Sequence, residues 1–143
     1  MSIPRYYLYK LLLGDENMYT NLAYLGEPHE DIVDNSKPIM VTCCGYYRVH
    51  TSAVISTERP TGRGDYQLLY ISEGKAHFFF NGKEKVITKG NMILFRPYET
   101  QMYYYYASEK PEAYWVHFTG YDVERILDYY KMPKGENVFF NLK

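Results

Sequence analysis

The run Gln101-Met102-Tyr103-Tyr104-Tyr105-Tyr106 places an amide and four phenols on six consecutive residues. The single tryptophan follows soon after, in Tyr114-Trp115-Val116-His117-Phe118. Side chains of an extended strand alternate between two faces, so Gln101 shares its face with Tyr103 and Tyr105. By the same rule Trp115 goes with Ala113 and His117, and Gln67 with Leu69 and Ile71. Arg59 and Arg63 lie just upstream in ERPTGRG. Aromatic faces stack on the C–H face of a sugar, while planar amide and guanidinium forks bind its hydroxyls. Apolar walls with a few convergent polar groups describe a small-molecule pocket. The candidate ligand-binding residues are therefore Arg59, Arg63, Gln67, Gln101, Tyr103, Tyr105, Trp115 and His117. Each has a plainer structural alternative: tyrosines suit any half-buried strand, Trp115 and His117 suit a core, and the arginines suit a solvated rim. No Ser-His-Asp or Cys-His grouping is visible by spacing, and no paired carboxylates share an inward strand face, so no catalytic residue is expected.

Short strands must position these groups. From Ile39 onward, IMVTCC, SAVIST, YQLLYIS, AHFFFNG, KVIT, MILFRP, QMYYYYA and AYWVHF are runs rich in β-branched and aromatic residues. Between them lie turn signals: Glu73-Gly74, Lys89-Gly90 and Asn81-Gly82, the last being the dipeptide of a type I′ hairpin. Short strands at close spacing with no helix between them predict an antiparallel sandwich or barrel. One helix follows in VERILDYY, with Thr119 or Asp122 as its cap and Pro133 and Gly135 as its end. Residues 1–38 read as an arm, with a turn at Gly14-Asp15-Glu16-Asn17; residues 39–120 form the barrel, and 121–143 begin a helical layer. His29, His50 and His77 are expected at the surface or in loops.

The chain has 143 residues, enough for one domain with one core. Its composition is 46% hydrophobic and 23% charged with a net charge of −1, so no polyanion-binding surface is expected. No apolar run approaches the ~20 residues that span a bilayer, so a cytoplasmic protein without a membrane partner is expected. Cys43 and Cys44 are adjacent and are read as reduced strand residues.

The glycine turns resemble the two blocks of cupin-type barrels, in which inward histidines and a glutamate hold a metal. Here the matching positions are Thr61, Arg63, Gln67 and Gln101. A guanidinium and weakly ligating amides do not make a transition-metal site, so no metal or cofactor is expected.

Four segments carry a closer resemblance. The Arg59-Pro60-x-Gly62 turn, the Tyr70-to-Ala76 hairpin, the Gly90-to-Pro97 block and the Trp115-x-His117-Phe118-x-Gly120 strand stand in the order and spacing of the effector-binding domain of AraC-family bacterial transcription regulators. The resemblance covers roughly residues 40–130. It implies a mainly β, cupin-like (jelly-roll) barrel followed by a C-terminal helix. In the arabinose-binding member, the positions of Arg59, Tyr103 and Trp115 contact the sugar, and an N-terminal arm closes over it. Ala113 and Gln101 stand where that member has histidines, so a sugar-like effector is implied but not arabinose.

The family's regulators also dimerise and read DNA through helix-turn-helix units. The charge and patterning here show no such unit, so DNA contact is expected only through a domain outside these residues, and a homodimer is a further expectation. Two alternatives remain: a stand-alone sugar epimerase or isomerase using His117 and Tyr103 as acid and base, and a barrel that only dimerises.

Overall fold

The computed structural model describes residues 6–9, 18–25, 31–49 and 53–140. The Gly14–Asn17 turn, His29 and His50 lie outside them. The strands are β1 (Tyr6–Tyr9), β2 (Met18–Leu25), β3 (Met40–Val49), β4 (Val54–Arg59), β5 (Tyr66–Glu73), β6 (Lys75–Phe80), β7 (Lys83–Thr88), β8 (Asn91–Phe95), β9 (Gln101–Tyr106), β10 (Glu112–Thr119) and β11 (Val138–Phe139), with helix α1 at Val123–Tyr129. All eight apolar runs from IMVTCC to AYWVHF form strands, β3 to β10. β1 and β2 fall within the stretch read as an arm and extend the larger sheet beside β3. β11, which the pattern did not signal, pairs with the free edge of β8.

Two antiparallel sheets result. One runs β1-β2-β3-β10-β5-β8-β11 and the other β4-β9-β6-β7. The chain crosses between them repeatedly, which makes a double-sheet jelly roll. Strand alternation supplies the core. Leu69, Ile71, Phe78, Ile87, Ile93, Phe95, Tyr103, Tyr105 and Ala113 meet between the sheets. Their outward neighbours face elsewhere, as the period of two demands. Asn81 and Gly82 both have positive φ, 52° and 74°, the geometry of a type I′ turn joining β6 to β7.

A second apolar cluster lies on the outer face of the larger sheet. Leu94, Phe118, Val123, Leu127, Met132 and Phe139 pack there under α1. Asp122 takes the N-cap position, its carbonyl accepting from the Ile126 amide at 3.1 Å, but neither expected residue caps through its side chain. Thr119 ends β10 and its hydroxyl accepts from the Asp34 amide at 3.2 Å, while the Asp122 carboxylate binds Arg125. The helix also stops earlier than Pro133. Lys131 takes φ 61°, its amide donates to Asp128 O at 3.0 Å, and the Met132 amide donates to Leu127 O at 2.9 Å. That pair of bonds is a Schellman close with lysine in the place glycine usually takes.

Arg96, only 7% exposed, ties this C-terminal segment down. It donates to Met132 O at 2.8 Å, to Glu136 O at 3.2 Å and to the Glu124 carboxylate at 3.2 Å. Cys43 is half-buried and Cys44 exposed, and both are free thiols.

Candidate functional site

Strand register sorts the barrel interior into three levels. At the first, Cys43, His117 and Gln67 align across β3, β10 and β5, and Arg59 aligns with Gln101 across β4 and β9. At the second, Gly45, Trp115 and Leu69 align in one sheet, and Thr57 with Tyr103 in the other. At the third, Tyr47, Ala113 and Ile71 align, and Ile55 with Tyr105. The interior therefore grades from polar at one end, through aromatic, to apolar.

The third level is closed by side chains. The hydroxyls of Tyr47 and Tyr105 meet across the sheets at 2.5 Å, with their rings edge to face. Burial, and then the neighbouring phenols, push both hydroxyls well above the usual tyrosine range. Tyr103 is also buried, stacked on Phe78 with ring centroids 5.0 Å apart and edge-on to Tyr105. Tyr104 and Tyr106 point outward; Tyr104 binds Glu58 at 2.6 Å on the outer surface.

The first level is a hydrogen-bonding cluster. Arg59 Nη1 donates to Gln101 Oε1 at 2.8 Å. Gln101 is fully buried and Gln67 is 3% exposed, yet Gln101 Nε2 and Gln67 Oε1 have no hydrogen-bond partner among the described residues. Leaving a buried polar atom unsatisfied costs about 1–3 kcal/mol, so two in one lumen need an explanation. One is a donor and the other an acceptor. They come from opposite sheets, one level from Trp115, whose half-buried indole lies edge-on to His117.

Next to them lies a charged chain. Arg63 donates to Asp65 through Nε at 2.7 Å and through Nη2 at 3.1 Å, and Nη2 also pairs with Asp31 at 2.7 Å. Asp31 in turn accepts the Gly64 amide at 2.7 Å. Asp65 is 1% exposed. Burial opposes its charge, but the bonds from His117 and Arg63 outweigh that and hold its carboxyl below the usual range. His117 Nδ1 stands 3.4 Å from Asp65, and its ring lies edge-on to Trp115 at 5.1 Å. Burial pushes the imidazole down by more than the Asp65 bond raises it, and Arg63 and Arg59 add to the lowering. His117 is therefore neutral at pH 7.

The local backbone explains these placements. A register shift between His117 and Phe118 inserts Thr42 as an extra residue on β3, and the Thr42 hydroxyl donates to His117 O at 3.3 Å. The bulge lets Cys43 pair with His117 while Val41, two residues earlier on β3, pairs with Phe118, which packs under α1. Gly62, at φ 66°, turns the chain after β4; its amide donates to Arg59 O at 3.1 Å. A side chain there would collide with the Glu99 carbonyl.

The structure thus brings Arg59, Gln67, Gln101 and His117 to the polar end, with Trp115 and Tyr103 at the level below. Arg63 is at that end but engaged by two carboxylates. Tyr105 lies deeper, bonded to Tyr47. Asp65, Cys43 and Tyr47 belong to the same interior, and Asp31 reaches Arg63 from the exposed segment before β3; none was among the expected residues. Asp65 had a signal: it precedes Gln67, Leu69 and Ile71 at the period of two. Among the described residues, no group of three or more His, Cys, Asp or Glu converges as metal ligands, and no helix is long and apolar enough to cross a membrane.

Comparison with known proteins gives a family. The model described as the AraC-like ligand binding domain matches residues 47–140. No curated protein matches the chain. Among solved structures, a Cupin 2 conserved barrel domain protein from Salinispora arenicola is similar, at 16% identity over 82% of this chain and 87% of that one, with a TM-score of 0.47. An HTH_3 family transcriptional regulator from Vibrio cholerae aligns at 15% identity over 73% of this chain but only 52% of its own, with a TM-score of 0.49. An oxalate decarboxylase from Bacillus subtilis aligns at 13% identity over 80% of this chain and 27% of its own, with a TM-score of 0.46. With its two-sheet barrel and a family match over most of its length, the chain belongs to the family of AraC-like, cupin-type ligand-binding domains.

Proposed function

We propose that this domain senses a sugar or sugar derivative for a transcription regulator. The effector binds at the polar end of the barrel without a metal and without turnover. Its occupancy is relayed to a separate DNA-binding domain, in the cytoplasm and within a homodimer. The observation that carries the proposal is the pair of orphaned amide atoms, Gln67 Oε1 and Gln101 Nε2, one level from the Trp115 indole. A sugar hydroxyl both donates and accepts, so one hydroxyl or two neighbouring ones satisfy both atoms, while the indole covers the ring's C–H face. Arg59 and His117 supply further contacts at the same level.

The relay has a structural starting point. The segment ahead of β3 is tied to the polar end by Asp31–Arg63 and by the Asp34 amide on Thr119. An effector that favours one arrangement of this segment shifts the population of regulator states by its differential affinity.

The test is thermal unfolding against neutral mono- and disaccharides, followed by titration of Trp115 fluorescence with every compound that shifts the midpoint. Effector at a hundredfold excess over its Kd adds about 2.7 kcal/mol. The bound sugar should be recovered unchanged by NMR after incubation; an epimerised or isomerised product would make the protein an enzyme. Light scattering of the chain with and without effector tests the homodimer.

A further inference from the structure

We propose that Asp65 makes the site selective for uncharged polyols over sugar acids and sugar phosphates, an inference that rests on the sugar-sensing function proposed above. The selectivity comes from how the charges are spent. Two arginines reach the polar end, which by itself suits an anionic ligand. Arg63, however, has its Nε and Nη2 donors committed to Asp65, and Nη2 also holds Asp31. Its side chain is 12% exposed and Asp65 is 1% exposed, so the pair is a buried, bidentate unit rather than a loose surface contact.

With Arg59, the two cations are balanced by two carboxylates. His117 adds no charge, because burial keeps its imidazole neutral. Arg59 itself already spends Nη1 on Gln101.

An anionic group entering this end finds the Arg63 fork already taken and Arg59 with one terminal nitrogen committed to Gln101. It also meets the Asp65 carboxylate, which stands 3.4 Å from the His117 ring on the lumen side. Like charges brought together in a desolvated pocket repel strongly, and such repulsion excludes wrong partners. The orphaned atoms point the same way. A hydroxyl has a proton for Gln67 Oε1, whereas an ionised carboxylate or phosphate oxygen has none.

The experiment measures matched trios by Trp115 fluorescence and thermal shift: glucose, glucuronate and glucose 6-phosphate, and galactose, galacturonate and galactose 6-phosphate. The neutral member of a binding trio should bind at least about tenfold more tightly than its acid and its phosphate. In Asp65→Asn, which frees the Arg63 fork, that preference should shrink or reverse. Asp31→Asn, a change at a more exposed partner of the same guanidinium, should shift it in the same direction by less, and decides the matter if Asp65→Asn does not fold.

A wild-type protein that binds the uronate or phosphate as tightly as the neutral sugar overturns the selectivity and leaves the sensor standing. A neutral preference unchanged in both variants removes Asp65 and Arg63 from the explanation. If no neutral or charged sugar binds, the sugar-sensing function itself fails, and the selectivity with it.

Discussion

Arg59 Nη1 donates to Gln101 Oε1 at 2.8 Å, and this bond decides which end of the Gln101 amide remains for a ligand. A guanidinium has only donors, so it must take the amide oxygen. The NH₂ group is then turned away, fully buried and without a partner. Arg59 thus does more than sit at the rim of a turn: it orients the one donor that a bound hydroxyl would use. Under the proposed sugar-sensing function, a bound hydroxyl would satisfy that group, as pre-organised sites do.

Gln67→Leu should separate stability from binding. The substitution deletes an unsatisfied buried acceptor and keeps similar volume on the inner face of β5. Stability of the ligand-free protein should stay level or rise by up to about 1 kcal/mol, since removing an orphaned polar group is neutral to favourable. The shift produced by an effector sugar should be lost at the same time. Denaturant unfolding of wild type and variant, each with and without sugar, checks both halves. A large loss of ligand-free stability would mean that Gln67 is already satisfied and is a structural residue.

Gly62→Ala should damage the site through the backbone. Gly62 holds φ at 66° and packs against the Glu99 carbonyl, so a methyl group meets both an unfavourable conformation and a steric clash. Forcing a side chain into such a position costs on the order of 1–3 kcal/mol. The turn that carries Arg59 must shift, and sugar affinity should fall even where the variant remains folded. Gly82→Ala, at φ 74° but with open space around it, should lose stability without losing affinity. Paired melting and fluorescence titrations distinguish the two.

The barrel was legible because strand signals are local. β-branched and aromatic runs between glycine turns located β3 to β10, and Asn81-Gly82 named its own turn type. The period of two also predicted which residues share a face, so the grouping of Gln101 with Tyr103 and of Trp115 with His117 could be read directly. What could not be read is how two faces meet. That Tyr105 spends its hydroxyl on Tyr47, and that Arg63 is held by Asp65 and Asp31, depends on contacts between sheets and with the segment before β3. β11 escaped because two paired residues make no periodic signal. The Thr42 bulge escaped because it depends on which β3 residues pair with His117 and Phe118, a pairing between strands far apart in sequence. His77, expected at the surface, lies on the outer face of β6, but its clasp between two glutamates from elsewhere in the chain could not be read from spacing.

Arg96→Met should loosen the C-terminal segment from the barrel. The methionine fills part of the space but leaves the carbonyls of Met132 and Glu136 without their donor. It also removes the cation beside Glu124, which then keeps only the Tyr66 hydroxyl at 3.0 Å. Breaking a buried, multiply bonded charge in this way typically costs roughly 3–5 kcal/mol. Thermal melting should show the loss, and limited proteolysis should cut first between residues 121 and 140. Arg96→Lys restores the charge but not the fork, and should recover only part of it.

Two histidines should give stability a maximum near neutral pH, by opposite routes. His77 lies 2.6 Å from Glu84 through Nδ1 and 2.6 Å from Glu109 through Nε2, and Lys75 also pairs with Glu109 at 3.1 Å. Carboxylates only accept, so both ring nitrogens must carry protons for both bonds to form. Burial opposes that charge, but the two carboxylates outweigh it, and the imidazole stays protonated above its ordinary value of 6.5. The folded state then holds more protons than the unfolded state above that value. The clasp contributes in full below pH 6.5 and is lost as pH rises through the folded pKa.

His117 runs the other way. Its folded pKa lies below 6.5, so stability rises with pH up to about that point, and below it the unfolded chain takes up the proton the fold excludes. Melting temperature measured from pH 5 to pH 8.5 should therefore pass through a maximum; above that range Cys43, raised from 9.0 to about 11, and Tyr46, raised from 10.0 to about 12, lower stability further once the unfolded thiol and phenol ionise. His77→Gln should flatten the alkaline limb and leave the acid limb, and His117→Gln should do the reverse. If both variants keep the wild-type profile, neither imidazole titrates as its contacts require.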